Sequence, residues 1–334
     1  MHRHDHPTPA AWVGIDVSKD TLDACLLPAA GPPRHRAFAN DAAGHRRLLA
    51  WARGQSGDAP LGFCLESTGA YGEAVAQALA DAGQHVSVVN PARIKYAGLM
   101  RGQINKTDRA DARLIAEYAA RERPPAWQPP RPEVRELQAL VRRRDDLRQL
   151  AAREKGRLTA PGLTRAARES IARTVAFLEE EADRLPRQAD ELVAACEGLW
   201  ADRDLLQSIP GVGAATAHAL LAELPEPSRF TSAQQAAAYA GLAPREYRSG
   251  ASVRKRTRLS KAGNARLRRA LYLPALTAIR FNPLLKALFE RLVAAGKARM
   301  AAVGACMRKL LMIAYGVLKN RTPFDPSGGS KRPT

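Results

Sequence analysis

The residues Trp12-Val13-Gly14-Ile15-Asp16-Val17 read as a buried strand with a carboxylate at its end. Thr21 to Leu27 follows after a short polar break and reads as its antiparallel partner, with Arg34 to Ala39 as a third strand. Ala42 to Arg53 has the pattern of a helix, Leu61 to Leu65 of a fourth strand, Tyr71 to Ala82 of a helix and His85 to Val89 of a fifth strand. A further helix spans about Thr107 to Glu122.

Three strands, helix, strand, helix, strand, helix is the element order of the ribonuclease H fold, one of several α/β arrangements with similar strings. In that topology the first and fourth strands are neighbours. Asp16, ending the first, and Glu66, just past the fourth, then converge on one edge of the sheet. Asp108 and Asp111 stand three apart on the last helix and share a face, which continues inward as Ile115 and Tyr118. Four carboxylates so placed repel one another and lose hydration unless a cation compensates them. Arg109 and Arg113 are near in sequence. A pair of Mg²⁺ ions, or Mn²⁺ in their place, compensates better, because hard cations take oxygen ligands. Two such ions about 4 Å apart suit cleavage of a phosphodiester. Taken singly, Asp16 also reads as a strand terminator, and Asp108 reads equally as a helix cap.

A chain of 334 residues is long for one core, so two domains and a connector are expected. Its 52 Lys and Arg against 33 Asp and Glu leave +19, a surplus that points to a polyanion as partner. The four cysteines are scattered, without a CxxC pair or zinc spacing, and read as thiols in a reducing cytosol. The start of the chain lacks the pattern of a signal peptide. The apolar stretch Ala301 to Leu318 is interrupted by Arg308 and Lys309 and reads as no membrane span, so a soluble, cytoplasmic protein without a membrane partner is expected.

Past a Pro-rich break, Pro124 to Pro130, come two long charged helices, about Pro132 to Arg157 and Arg165 to Trp200. The second carries a heptad stripe: Ile171, Val175, Leu178, Ala182, Leu185, Ala189, Leu192, Cys196 and Leu199. That stripe wants either the first helix or another subunit. Pro186 is expected to kink or split it. The last third, about Asp202 to Phe324, reads as helical and basic. Ser208-Ile209-Pro210-Gly211-Val212-Gly213 before an Ala-rich helix is a helix-hairpin-helix pattern, whose Gly211 and Gly213 let backbone N–H groups approach a phosphate. A turn that merely packs two helices uses the same glycines. Between Arg245 and Arg269 stand ten cations: Arg245, Arg248, Arg254, Lys255, Arg256, Arg258, Lys261, Arg266, Arg268 and Arg269. Glu246 is the sole acid among them, which marks the segment as a nucleic-acid contact. Ser249, Ser252 and Ser260 lie within it, and the local residues do not choose among them as a nucleophile toward phosphorus.

At this point a resemblance becomes specific. The segments Gly14 to Lys19, Glu66 to Tyr71, Asn90-Pro91, Asn105 to Ala112, Ile209 to Gly213, Ala240 to Pro244, Ser249-Gly250, Ser260 to Gly263, Leu267 to Tyr272, Met307 to Leu310 and Tyr315 to Lys319 follow in order. Through them the chain resembles the family-110 insertion-sequence transposases, the DEDD recombinases related to the Piv DNA invertase. The resemblance implies an α/β plus α chain. Its parts would be an arm over 1–10, a RuvC-like DEDD domain over 11–127, coiled-coil helices over 128–200, a mainly α transposase domain over 201–325 and a tail over 326–334. It implies that Asp16, Glu66, Asp108 and Asp111 bind metal and that Ser249 is the nucleophile. It also implies a homo-oligomer, dimer to tetramer, in which one subunit's serine completes another's carboxylate site. A structured bridge RNA would pair with donor and target DNA, leaving the protein to grip backbones. Three other readings stand beside it. They are a RuvC-type junction endonuclease that hydrolyses with water, a Piv-type invertase using the same chemistry, and a nucleic-acid-binding protein on a dead nuclease fold.

Overall fold

β1 (Ala11–Val17) is the middle strand of a five-stranded sheet, with Trp12, Val13 and Ile15 almost wholly buried. The computed structural model describes residues 8–57, 59–67, 69–102, 107–249 and 253–326, which form two units dividing between Pro129 and Pro130. In the first unit a tight turn joins β1 to β2 (Thr21–Leu27). The Ser18 amide donates to the Thr21 carbonyl at 2.9 Å, and the Thr21 amide donates back to the Ser18 hydroxyl at 3.0 Å. β2 pairs antiparallel with both β1 and β3 (Arg34–Ala39). On the other side β4 (Leu61–Glu66) runs parallel to β1, and β5 (His85–Val89) parallel to β4. The order is β3-β2-β1-β4-β5, so the first and fourth strands are neighbours as the sequence led us to expect.

Strand alternation sorts the two faces. Val13, Ile15, Phe63 and Leu65 pack with Leu48 and Ala52 of α1 (Ala42–Ser56) and with Val75 and Leu79 of α2 (Ala70–Asp81). Trp12, Cys64 and Val89 face the other way, against Ile94 of α3 (Pro91–Met100) and Leu114, Ile115 and Tyr118 of α4 (Asp108–Glu122). Helix α3 has no counterpart in the sequence reading. It is capped by Asn90 and begun by Pro91, but it buries only Ile94 and Gly98 and leaves Tyr96, Leu99 and Met100 exposed. A weak apolar face leaves little period to detect.

The closest approach of helix to sheet is at Gly14. A methyl group there would stand 2.2 Å from both the Ala112 carbonyl oxygen and the Ala116 amide nitrogen of α4. The absent side chain is what lets α4 lie flush on β1. The cap of α4 is Thr107, whose hydroxyl accepts from the Ala110 amide at 3.2 Å. Asp108 is therefore not the cap but the first residue of the helix.

In the second unit α5 (Pro132–Arg157) and α6 (Arg165–Ala195) form an antiparallel hairpin. Arg148 reaches Asp183 at 3.1 Å and Lys155 reaches Glu179 at 2.6 Å, so progress along one helix is retreat along the other. Val175, Ala182, Ala189 and Val193 of α6 are buried, as are Leu137, Val141, Leu147 and Ala151 of α5. Within one chain, the stripe thus has its partner in the first helix. Pro186 does not split α6, contrary to one expectation. Proline removes a single N–H, and the helix continues through it to break instead at Cys196, whose backbone is extended. α7 (Glu197–Gln207), the turn 208–213 and α8 (Ala214–Glu223) follow, then α9 (Ala233–Tyr239).

Next the expectation of continuous helix fails. Pro244–Ser249 is β6 and Val253–Leu259 is β7, an antiparallel hairpin. The chain ends in α10 (Ala265–Ala270), α11 (Tyr272–Phe281), α12 (Pro283–Ala294) and α13 (Arg299–Asn320). By length and composition α13 could cross a membrane. Its apolar residues, among them Val303, Met307, Leu310, Leu311 and Ala314, are spent on the core of this unit. All four cysteines are free thiols.

Gly14→Ala is expected to destabilise the chain by about 1–3 kcal/mol, the usual range for forcing atoms into a filled core. Urea unfolding measures it, and an unmoved midpoint would mean that α4 does not depend on this contact.

Candidate active site

The β1–β2 register sets Asp16 directly opposite Asp23. Between β1 and β4 the register Gly14↔Cys64, Ile15↔Leu65 makes Asp16 and Glu66 the next residues in line. Parity puts all three on the α4 side of the sheet, since Trp12 and Cys64 on that side pack with Ile115, and Cys25 with Ala112 and Ala116. The seat at Gly14 fixes the height of α4 above β1, and its first turn carries Asp108 and Asp111. The result is visible in Asp16, whose carboxyl is held above the ordinary carboxylate range. Burial is the main cause, followed by the charges of Asp111, Asp108 and Asp23; a backbone hydrogen bond at Val17 pulls the other way.

The structure therefore sets Asp108 and Asp111 near enough for their charges to act on Asp16, and adds Asp23, which the sequence reading missed. Its signal was available: a short turn between two strands pairs Asp16 with Asp23 once the register is counted. Asp23 is itself raised, first by burial and then by Asp108. Glu66 closes β4, half-buried, as does Asp111 on its helix, while Asp108 is exposed. The face of α4 is thus less inward than its period suggested, because Asp108 lies in the first turn, beyond the sheet-covered residues. Among the described residues no three His, Cys, Asp or Glu side chains stand at metal-ligand spacing.

The charges acting on Asp16 among the described residues are carboxylates, and Arg113 and Arg101 have another partner. Arg113 donates to Glu117 at 2.8 Å, and Arg101 also pairs with Glu117. Arg109 and Arg113 act instead on Cys25 and His35, whose Sγ and Nε2 are 3.6 Å apart. Burial outweighs both arginines at Cys25 and pushes its thiol up to about 11, so it is no nucleophile.

The basic segment divides into two sets. Across the hairpin Arg245 faces Arg258 and Arg248 faces Arg254, like charges in register that favour neither strand pairing nor an isolated fold. Arg245, Arg258, Lys261 and Arg269 are exposed. Arg266 instead pairs with Asp146 at 3.2 Å, and Arg268 donates to the Ala240 and Lys261 carbonyls at 3.0 and 3.2 Å. The side chains of Arg248, Ser249, Arg254, Lys255 and Arg256 lie outside the described residues, as does Ser252. The backbone of Ser249 is the last of β6, paired with Val253. Gly211, at φ +100°, owes its identity to packing, since a methyl group would stand 2.7 Å from the Ala278 side chain; Gly213 meets nothing and opens α8.

Residues 13–164 match the family model of DEDD transposases, described as "Transposase", and residues 203–290 that of the "Transposase IS116/IS110/IS902 family". The chain is 33% identical to the pilin gene-inverting protein of Moraxella bovis over 317 residues, 94% of this chain and 97% of that one. The chain belongs to the IS110 transposase family. It is also 32% identical to the transposase for insertion sequence element IS1111A of Coxiella burnetii over 194 residues, half of this chain and 53% of that one. As an IS110-family protein it is a DNA transposase/recombinase, and the match to the DEDD model runs from β1 in the first unit to the end of the α5–α6 turn in the second.

A raised Asp16 sets a sign for stability. The folded chain binds that proton more tightly than the unfolded one. The stability it confers is full below the ordinary value of 3.8 and is lost as pH rises through the folded value. In metal-free buffer Asp16→Asn should therefore melt higher than wild type at about pH 7 and equally near about pH 3. Added Mg²⁺ should stabilise wild type and not the variant. A variant that melts lower at neutral pH would mean that Asp16 is not repelled by its neighbours.

Proposed function

We propose that this IS110-family chain cuts and rejoins DNA through a serine-linked intermediate, with Asp16, Glu66, Asp108 and Asp111 holding divalent cations, Mg²⁺ or Mn²⁺. The observation that carries the reading is that the charges acting on Asp16 among the described residues are those of carboxylates, Asp111 and Asp108 foremost. Oxygen donors in mutual repulsion suit a hard cation, and a zinc or copper site would want His or Cys in the set. Such ions, when bound, activate a nucleophile and stabilise a leaving oxygen at phosphorus. Asp23, opposite Asp16, adds to the negative potential that draws the cation.

Ser249 is the nucleophile in this reading. It ends β6 at the tip of a hairpin whose strands set Arg248 opposite Arg254, so cations flank it on both strands. Attack by its hydroxyl oxygen forms a phosphoserine ester while one DNA oxygen leaves and takes a proton. The number of phosphoesters is conserved, and reversal by another DNA hydroxyl rejoins the strand without ATP. Arg245, Arg258, Lys261 and Arg269 grip phosphate in donor and target DNA and in a structured guide RNA, together with the backbone at Gly213. Arg266 and Arg268, held in internal contacts, contribute by shaping the segment. The protein acts as a homo-oligomer, dimer to tetramer, in which the serine of one subunit serves the carboxylates of another. A second reading, site-specific inversion, is favoured by the end-to-end match to the Moraxella protein. It uses the same chemistry on another substrate.

The test is a denaturing gel of the full chain incubated with Mg²⁺, labelled DNA bearing the element's ends and RNA from its flank. Wild type should yield a covalent protein–DNA band that Ser249→Ala and Asp16→Ala both lose, with rejoined product falling by at least ~10³-fold. Cleavage by Ser249→Ala without any adduct would make the protein a hydrolytic nuclease instead.

A further inference from the structure

Both strand carboxylates lie just beyond the reach of the ladder that joins their strands. The β1–β4 register ends at Ile15↔Leu65, one residue short of Asp16 and Glu66. Past that point the two segments are joined by a side chain from elsewhere. Asn40, between β3 and α1, donates through Nδ2 to the Ser18 carbonyl at 2.9 Å and to the Tyr71 carbonyl at 3.2 Å. Ser18 follows Asp16 by two residues, and Tyr71 lies in the first turn of α2, in the segment that leads from Glu66. One amide thus spans the exits of both strands, with each of its two N–H bonds committed.

The surrounding sequence Asn40-Asp41-Ala42-Ala43-Gly44-His45 holds that amide in place. The Asp41 carboxylate caps α1, accepting from the Gly44 amide at 2.6 Å. Gly44 lets the helix begin flush against β3, since a methyl group there would stand 1.8 Å from the Ala39 carbonyl oxygen. That start brings His45, 7% exposed, back onto Asn40, its Nε2 2.9 Å from Oδ1. With Nδ2 facing two carbonyls, Oδ1 must accept, so Nε2 of His45 carries the proton and donates. The Asn40 amide nitrogen also donates to the Asp20 carbonyl at 2.9 Å, fastening the same unit to the β1–β2 turn.

We propose that Asn40, oriented by His45, is a positioning residue that sets the spacing of Asp16 and Glu66 and so the affinity of the carboxylate site for its divalent cation. The proposal rests on the reading of those carboxylates as cation ligands. Residues that orient ligands typically change metal affinity by 10–100-fold when removed. A residue that merely supported the fold would change melting temperature and leave the affinity of the folded chain alone.

The experiment is a Mn²⁺ titration of the full chain followed by electron paramagnetic resonance, with melting temperatures taken in a chelator. Asn40→Ala and His45→Ala should each weaken Mn²⁺ by on the order of 10-fold in protein that is still folded. His45→Gln, whose amide nitrogen stands where Nε2 was, should restore most of the affinity, and Asp16→Asn should abolish the site. Wild-type affinity in folded Asn40→Ala, beside an Asp16→Asn that has lost the site, overturns the role of Asn40 alone. Retention of the site by Asp16→Asn overturns the ligand reading and the proposal with it. Should Asn40→Ala not fold, equal affinities of His45→Ala and His45→Gln overturn the proposal.

Discussion

The contact between Gly14 and α4 decides what the first unit can do. Two carboxylates at strand ends are common and inert. In the proposed site a helix bearing two more is pressed against the same strand, and the missing side chain at Gly14 allows that approach. Trp12 and Ile115 fill the space on one side of this seat and Cys25 with Ala112 and Ala116 on the other, so the helix has little freedom to slide. The repulsion felt by Asp16 follows from that rigidity. Stability is set against function here: the packing that makes the core close also concentrates negative charge at its edge.

The second unit secures a different kind of segment. A hairpin with arginine facing arginine has little reason to fold alone, and its base is anchored where it leaves the helical body. Gly241 and Gly263, both at positive φ, let the segments before β6 and after β7 touch backbone to backbone, the Lys261 amide donating to Gly241 and the Asn264 amide to Tyr239. Beneath them Glu223, 5% exposed, accepts from Arg142 at 2.7 Å and from Asn264 at 2.8 Å. A buried carboxylate paired this fully organises its surroundings more than it stabilises them. Arg266 and Arg268 belong to this base, which explains why two residues of a basic run are spent on protein contacts. Arg245 and Arg258, both exposed, stand next to that fixed root.

The elements from β1 to α4 were legible because alternating strands and capped helices leave periodic marks. α3 was not, because its outward face is as apolar as its inward one and only Asn90-Pro91 announced it. The hairpin was hidden for the opposite reason. In Val253 to Leu259 the arginines take every second place, but Lys255 falls among Val253, Thr257 and Leu259, and that run of three cations masked a strand pattern of period two. In the site, Asp16, Glu66, Asp108 and Asp111 could be named from element ends, but Asp23 required counting a register and Asn40 a three-dimensional contact. Among the described residues Asn40 bonds to backbone carbonyls and to His45, and no residue type in its surroundings advertises that. The prolines misled in one direction: Pro186 is tolerated inside α6, where buried neighbours on both sides hold the helix.

The central claim is that a cation sits among Asp16, Glu66, Asp108 and Asp111. Fe²⁺ accepts the same oxygen ligands and, with ascorbate and peroxide, generates hydroxyl radicals that cut the backbone beside it. The full chain loaded with Fe²⁺ should break near residues 16, 66 and 108–111, and excess Mg²⁺ should suppress all of these cuts together. Cuts confined to other segments, or cuts near these residues that Mg²⁺ leaves untouched, would contradict the account.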